Sequence, residues 1–182
     1  MRMDGTRRLY KRYPSSRAGH DTMNTRTLHL RSERATQRLG HAIGTFLRPP
    51  DTVLLQGELG SGKTSFARGL IRSLLYHPED IPSPTFNLIQ IYETLTGELW
   101  HIDLYRIRTS NEIDELGLID AFSTSICVIE WPDRLGSLTP QSALTLELTS
   151  STDNDGAREV TLSWTAERWT RPLLNIGKDA IL

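Results

Sequence analysis

The chain has 182 residues and a formal net charge of −1; 37% of its residues are hydrophobic and 24% are charged. This composition excludes a wholly disordered chain and a large, uniformly basic nucleic-acid surface, so we expect no DNA partner. The single cysteine, Cys127, excludes a disulfide framework and a cysteine-rich zinc site. No apolar run approaches the ~18 residues that span a bilayer, and we therefore expect a cytoplasmic protein without membrane contact.

Residues 1–24 differ from the rest of the chain and predict a basic, disordered extension. They lack the apolar core of a secretory signal. A tail that contacts RNA, a transit peptide, and a chain whose true first residue is Met23 are the alternatives. The acidic residues of this segment are Asp4 and Asp21, and its basic residues are Arg2, Arg7, Arg8, Lys11, Arg12 and Arg17.

Residues 25–170 carry the alternating patterns of one α/β domain. Short strands are predicted at 27–30 and 52–56, and Ser32 is placed to cap a helix that follows the first strand. A second amphipathic helix is predicted over residues 63–76. The apolar positions of the first helix share one face and are Ala35, Leu39, Ala42, Ile43, Phe46 and Leu47.

The second half of this domain is richer in strands. Residues 110–121 predict short helical turns, and residues 171–182 predict a C-terminal tail. Further strands are predicted at 85–93, 97–103, 126–130, 143–149 and 158–164. Strands that alternate with helices indicate a three-layer α/β domain around a central, mostly parallel sheet. We expect the last two strands to form an antiparallel hairpin at an edge of that sheet.

The most specific local signal is G-E-L-G-S-G-K-T at residues 57–64, which fits the P-loop pattern G-x-x-x-x-G-K-[ST] in full. Glycines let backbone N–H groups converge on phosphate oxygens, and the following helix adds its N-terminal donors. Lys63 supplies a charge for the β- and γ-phosphates, and the Thr64 hydroxyl supplies a ligand for Mg²⁺. We expect the remaining phosphate contacts from Gly57, Gly60, Ser61, Gly62 and Ser65.

The lysines help to choose the nucleotide. Only three occur, at positions 11, 63 and 178, and none lies in the N-K-x-D pattern that reads guanine in small GTPases. A P-loop NTPase domain that binds ATP is therefore favoured over one that binds GTP.

Two predicted strands end in an acid. One ends at Asp103 and the other, after four apolar residues, at Glu130. In a parallel sheet both ends face the crevice that holds the P-loop. One acid is expected to support the metal and the other to orient the attacking water. Thr85 follows Pro84, which fixes the backbone, so its hydroxyl is a third candidate for contact with the γ-phosphate or the water.

Trp131 and His101 can each be interpreted as purely structural residues. Trp131 is either an anchor near the nucleotide or a core aromatic side chain. The five histidines show no metal-binding spacing, and we expect His101 to pack or cap within its strand.

Five segments taken in order resemble the TsaE (YjeE) family, the bacterial P-loop ATPases of tRNA threonylcarbamoyladenosine biosynthesis. They are G-E-L-G-S-G-K-T, S-P-T-F, H-I-D-L-Y-R, I-D-E-L-G-L and V-I-E-W-P-D-R-L. The resemblance covers roughly residues 28–160. It implies a P-loop α/β fold, binding of ATP and Mg²⁺, slow hydrolysis of ATP, and cooperation with the TsaB–TsaD pair. That pair transfers the threonylcarbamoyl group, so this chain is expected to interact with tRNA only indirectly, through that complex.

The resemblance also implies residue roles. Lys63 and Thr64 match the P-loop lysine and the metal-binding threonine of the family, and Glu130 matches its metal-linked glutamate. Asp103 matches its essential aspartate. Thr85 and Trp131 match the switch-like threonine and the tryptophan beside the glutamate. Ser32, at the start of the first helix, is the candidate on the adenine side.

Two other functions remain open from the sequence. A small-molecule or nucleoside kinase has a similar size and P-loop, but it needs an acceptor pocket and usually an arginine-rich lid, and no lid insertion follows the third strand. A nucleotide-sensing adaptor without catalysis needs only a docking surface that ATP binding orders.

Overall fold

The structure, a computed structural model, describes residues 22–77, 79–150 and 156–177. The predicted extension therefore lies outside the described residues up to position 21, and so do positions 178–182. The strands are β1 (Asn24–Leu30), β2 (Thr52–Gln56), β3 (Ile89–Thr94), β4 (Gly97–Asp103), β5 (Ile126–Glu130), β6 (Leu144–Ser150) and β7 (Arg158–Trp164). The helices are α1 (Glu33–Gly44), α2 (Lys63–Arg72), α3 (Ser110–Asp114), α4 (Leu118–Thr124) and α5 (Thr170–Asn175), with 3₁₀ helices at Pro132–Leu138 and Glu167–Trp169.

The seven strands form one sheet in the order β1-β7-β6-β2-β5-β4-β3. Its centre is parallel, because β2 pairs in parallel with β5 and β6, and β4 pairs in parallel with β5. The outer pairs β3–β4, β6–β7 and β1–β7 are antiparallel. The mostly parallel centre and the antiparallel hairpins confirm the predicted sheet type.

Helices cover both faces of the sheet and give three layers. The strands alternate between the faces, so that Val53 and Leu55 of β2 pack beneath α1 and α2, while Leu54 packs with α3 and α4. The α1–α2 pair is held in close approach by glycine, since a Cβ on Gly40 would lie 2.2 Å from the carbonyl oxygen of Phe66. The predicted three-layer α/β architecture is therefore confirmed.

The predicted strand at 85–93 is wrong over its first four residues. A turn occupies them, closed by a 2.7 Å hydrogen bond from the N–H of Leu88 to the carbonyl of Pro84. Leu88 has φ 63°, a left-handed conformation that no regular strand contains. Pairing with β4 begins only at Ile89.

The second helix is shorter than the predicted 63–76 and ends at Arg72. The Ser73 hydroxyl donates to the carbonyl of Leu70 at 2.6 Å and competes with the backbone for that acceptor. The carbonyl of Leu74 instead accepts the N–H of Leu95 in the β3–β4 turn. The end of the helix is thus tied to the neighbouring hairpin.

Three predictions about the outer parts of the domain need correction. The β6–β7 hairpin is not at an edge, because β1 pairs with β7 over the seven residues from Asn24 to Leu30 and covers it. The first strand begins at Asn24 and not at 27, since this long-range pairing extends it. The chain also stays in the fold past position 170: α5 packs on the core through Leu173, which is fully buried.

Across the described ranges, no helix combines the length and the hydropathy that crossing a bilayer would require.

Candidate functional site

The glycine-rich loop joins β2 to α2 at the carboxyl edge of the parallel strands. Gly57, Gly60 and Gly62 all have positive φ, at 135°, 79° and 106°. A Cβ on Gly57 would lie 2.2 Å from the carbonyl oxygen of Leu148, so no larger residue fits there. Gly62 caps α2 without a side-chain hydrogen bond. The first N–H groups of that helix therefore face the loop as donors for an anion.

Lys63 folds back over this loop. Its Nζ donates to the carbonyl oxygens of Gly57 and Glu58 at 2.8 Å each, and it lies 3.9 Å from the centre of the Trp131 ring. The side chain is only 4% exposed. This burial lowers the pKa of Lys63, and the negative charges of Glu130 and Asp103 oppose the shift. The loop thus holds a largely desolvated cation against two acids.

Thr64 and Glu130 form the first polar arm of the site. The Thr64 hydroxyl donates to Oε2 of Glu130 at 2.9 Å, and Nε2 of His101 lies 3.0 Å from Oε1 of the same carboxylate. Glu130 ends β5 and is 2% exposed. A hydroxyl and a carboxylate oxygen, next to the glycine-rich loop and the start of α2, are a ligand set that suits Mg²⁺ with a phosphate ligand.

Asp103 and Thr85 form the second arm. The Thr85 hydroxyl donates to Oδ2 of Asp103 at 2.7 Å and is itself 2.7 Å from the Ser83 hydroxyl. The backbone N–H of Tyr105 donates to Oδ1 at 2.9 Å. Asp103 ends β4 and lies beside Glu130 in the register of the sheet. The two acids predicted to converge are therefore neighbours.

These groups surround one cavity of about 240 Å³. The Trp131 ring closes one side, packed against the Tyr105 ring with 5.0 Å between centroids. Trp131 has φ 61°, an uncommon backbone conformation for a bulky residue, and this turn aims its ring at Lys63. The lining residues are Leu59, Gly60, Gly62, Lys63, Thr64, Ser65, Thr85, Asp103, Tyr105, Glu130 and Trp131. Trp131 is half-buried: it packs partly against the core and also lines the cavity, and its contact with a nucleotide stays a prediction.

Some predicted contact residues lie elsewhere or are otherwise engaged. The Ser32 hydroxyl accepts from the N–H of Ala35 at 3.2 Å and caps α1, as predicted, but Ser32 does not line the cavity. The Ser65 hydroxyl donates to Glu33 at 2.8 Å. The Ser61 hydroxyl is buried with no partner among the described residues. Its N–H donates to the carbonyl of Glu58, and neither Ser61 nor Gly57 is among the residues that line the cavity.

Three site residues were missed by the sequence interpretation. His101 contacts Glu130, and Tyr105 stacks on Trp131. Arg158 of β7 donates to the carbonyls of Ser61 and Gly60 at 2.9 and 3.4 Å. The period-two spacing of His101 and Asp103 on one strand was a signal that both face the same side. No local signal marked Arg158.

A metal would have to share its ligands with a bound nucleotide. Within residues 22–77, 79–150 and 156–177, no group of three or more His, Cys, Asp or Glu side chains could hold an ion alone. Thr64 and Glu130 fit Mg²⁺, because this ion keeps several waters and commonly takes one or two protein ligands beside substrate phosphates. A triphosphate would likewise suit this cavity, because the N-terminus of α2 and Lys63 both offer it positive charge.

Comparison with known proteins agrees with this geometry. The family model described as threonylcarbamoyl adenosine biosynthesis protein TsaE matches residues 30–160, well over half of the chain. The chain belongs to the TsaE family. The role of this family lies in tRNA threonylcarbamoyladenosine biosynthesis, and the matched range contains the loop, both acids and Thr85.

Relatives support the family over most of their own length. The TsaE protein of Rickettsia bellii is 40% identical over 126 residues, which are 69% of this chain and 87% of the relative. That of Treponema pallidum is 38% identical over 135 residues, which are 73% and 96%. The crystal structure of Bacillus subtilis YdiB is similar in fold, with a TM-score of 0.68 and 24% identity over 84% of this chain and 94% of that one.

Proposed function

We propose that this TsaE-family protein is a slow, Mg²⁺-dependent ATPase of the cytoplasm that supports threonylcarbamoyladenosine modification of tRNA together with the TsaB–TsaD complex. The pathway follows from membership of the family, and the partners are proposed from the resemblance to that family. The nucleotide, the metal and the hydrolytic step are argued from the site. No direct contact with tRNA is part of the proposal.

One observation carries the ATPase assignment. The Thr64–Glu130 pair and the Thr85–Asp103 pair line the same cavity, which Lys63 also lines. A metal-supporting pair and a second acid at the far end of a triphosphate are the two devices that phosphoryl transfer to water needs. A site for binding alone would not need the second pair.

The residues divide the work as follows. The loop N–H groups and Lys63 hold the phosphate oxygens and stabilise the charge that spreads over them in the transition state. Thr64 and Glu130 hold Mg²⁺, which neutralises charge on the phosphates when bound. Asp103 orients the attacking water, and Thr85 fixes the carboxylate that does so. Asp103 need not take a full proton early, because phosphoryl transfer with a loose transition state depends mainly on positioning.

Slow turnover without partners also fits the site. In the described part of the chain, the residues that line the cavity include no arginine. An arginine that reaches the transferred phosphoryl group accelerates hydrolysis by roughly 10³–10⁵-fold in other P-loop enzymes. Partner proteins are therefore expected to complete the site and raise its rate.

The test is hydrolysis and modification measured together. The purified chain, with and without TsaB–TsaD, is assayed for release of phosphate from ATP and for threonylcarbamoyl-tRNA over several turnovers. Lys63→Ala should abolish both activities, and Arg72→Ala, at an exposed position on the same helix, should change neither. A rate that the partners leave unchanged would contradict the completed-site argument.

Two outcomes would point to the alternative functions. Phosphate that appears on an acceptor molecule, and not free in solution, would identify a kinase. An Asp103→Ala variant that still binds the partners and supports modification would identify an adaptor whose ATP binding only orders a surface.

A further inference from the structure

His101 is a buried side chain at this site to which the proposed hydrolysis gives no role. It lies on β4, two residues before Asp103, and is fully buried. Its Nε2 lies 3.0 Å from Oε1 of Glu130, while Thr64 donates to Oε2 of the same carboxylate at 2.9 Å. Each carboxylate oxygen therefore has its own partner, and the plane of the carboxylate is fixed from both sides.

Hydrogen bonding selects one form of the ring. Nδ1 is buried and has no hydrogen-bond partner among the described residues. A hydrogen on Nδ1 would be a buried donor without an acceptor, and would leave Nε2 as a lone pair facing a carboxylate oxygen. The tautomer with its hydrogen on Nε2 avoids both costs. His101 is thus a donor to Oε1.

A packing role alone does not explain a histidine here. Leu99 lies on the same face of β4, two residues earlier, and is fully buried in the core beneath α1 and α2. An aliphatic residue at position 101 would extend that core without leaving a buried ring nitrogen unpaired, which costs free energy. Among the described residues, the one hydrogen-bond partner of His101 is Glu130.

We propose that His101 is a positioning residue, which donates from Nε2 to Oε1 of Glu130 and so keeps Oε2 turned towards Thr64 for the Mg²⁺ of a bound nucleotide. This inference rests on the proposed function, since it requires that a metal–nucleotide complex binds at Thr64. Residues that hold metal ligands in orientation typically change metal affinity by 10–100-fold when they are replaced.

The test separates the hydrogen bond from the shape of the ring. His101→Phe keeps a ring without a donor, and His101→Gln places an amide N–H at the same reach as Nε2. Binding of the non-hydrolysable analogue AMP-PNP is measured by calorimetry with Mg²⁺ and with EDTA. We expect His101→Phe to weaken binding roughly tenfold with Mg²⁺ and to leave it unchanged in EDTA. His101→Gln should restore most of the loss.

Other results would overturn the proposal. Equal losses in Phe and Gln variants, or losses of the same size with and without Mg²⁺, would make His101 structural. Leu99→Met controls for repacking of the same face and should leave the effect of Mg²⁺ unchanged. If the wild-type chain binds AMP-PNP equally well with Mg²⁺ and EDTA, or not at all, the proposed function itself fails, and that result differs from a failure of His101 alone.

Discussion

Thr85 donates a 2.7 Å hydrogen bond to Oδ2 of Asp103, across 18 residues of chain that include the whole β3–β4 hairpin. The other carboxylate oxygen accepts the N–H of Tyr105 at 2.9 Å. Because Thr85 gives its only hydroxyl hydrogen to Asp103, the contact with Ser83 must be donated by Ser83. A chain of two hydroxyls thus runs from Ser83, just before the turn that precedes β3, to the acid proposed to orient water.

Thr85→Val should slow hydrolysis and leave nucleotide affinity intact. The substitution keeps the shape but removes the donor, and a hydrogen bond to a charged group contributes roughly 1.5–3 kcal/mol. A fall in kcat on the order of tenfold to a hundredfold follows if Asp103 then loses its orientation. Thr85→Ser, which retains the hydroxyl, is the matched control. Equal rates for Val and Ser would refute the role of this hydrogen bond.

Asp103→Asn should abolish repeated turnover while AMP-PNP still binds. The amide keeps the size and one acceptor, yet it loses the charge that orients a water for attack. General-base and positioning groups of this kind commonly contribute roughly 10²–10⁴-fold to the rate. The control is Asp114→Asn, an exposed acid beyond the site. Rates and affinity are measured in parallel, and a loss of affinity as large as the loss of rate would count against a catalytic role.

The free energy of unfolding of the chain without nucleotide should depend on pH in a way that the buried Lys63 determines. Burial lowers the pKa of Lys63 below its ordinary value of 10.5, so the unfolded chain holds this proton more tightly than the folded chain. Between the lowered folded pKa and 10.5, the free energy of unfolding of wild type should therefore rise with pH relative to Lys63→Met. Below that window the difference should be constant until the acids begin to titrate.

Urea unfolding of both proteins across this alkaline window measures the difference. Tyr92 and Cys127 also have raised pKa values because of burial, the latter to about 12, but both residues are present in each protein and cancel from the comparison. A difference in unfolding free energy that stays flat up to pH 10.5 would mean that the folded chain does not desolvate the ammonium.

Much of the site could be predicted because its signals are local. The loop motif specifies its own backbone through glycines at positive φ, and its helix follows at once. The two acids could be placed because Asp103 and Glu130 each end a predicted strand, and parallel strands end at one edge. Sequence alone therefore named both polar arms of the cavity.

What could not be predicted depends on distant pairing. β1 extends over Asn24–Leu30 only because β7, more than a hundred residues later, offers it an edge. The turn before β3 needs Leu88 in a left-handed conformation that its side chain disfavours, so strand propensity misled the prediction. Arg158 reaches the loop across 97 residues, and no pattern around it marks that contact.

Arg158→Gln should weaken nucleotide binding without unfolding the chain. Its guanidinium donates to the carbonyls of Ser61 and Gly60, and so helps to hold the backbone of the loop in the conformation proposed to bind an anion. Loss of these charge-assisted bonds should cost affinity on the order of tenfold. Arg158→Lys should restore only part of it, because an ammonium lacks the planar fork. Arg72→Gln, at an exposed position, is the control, and an unchanged Kd for Arg158→Gln would refute this role.

Two glycines of the same loop should respond differently to alanine. At Gly60 nothing lies within 4 Å of an added Cβ, so only the positive φ matters, at a cost of about 1–2 kcal/mol. At Gly57 the Cβ would also meet the carbonyl oxygen of Leu148 at 2.2 Å, and strand β6 would have to move. Overpacking of this kind adds roughly 1–3 kcal/mol. In urea unfolding without nucleotide, the free energy of unfolding should therefore be clearly lower for Gly57→Ala than for Gly60→Ala. Equal losses of stability in the two variants would mean that the contact with β6 is not rigid.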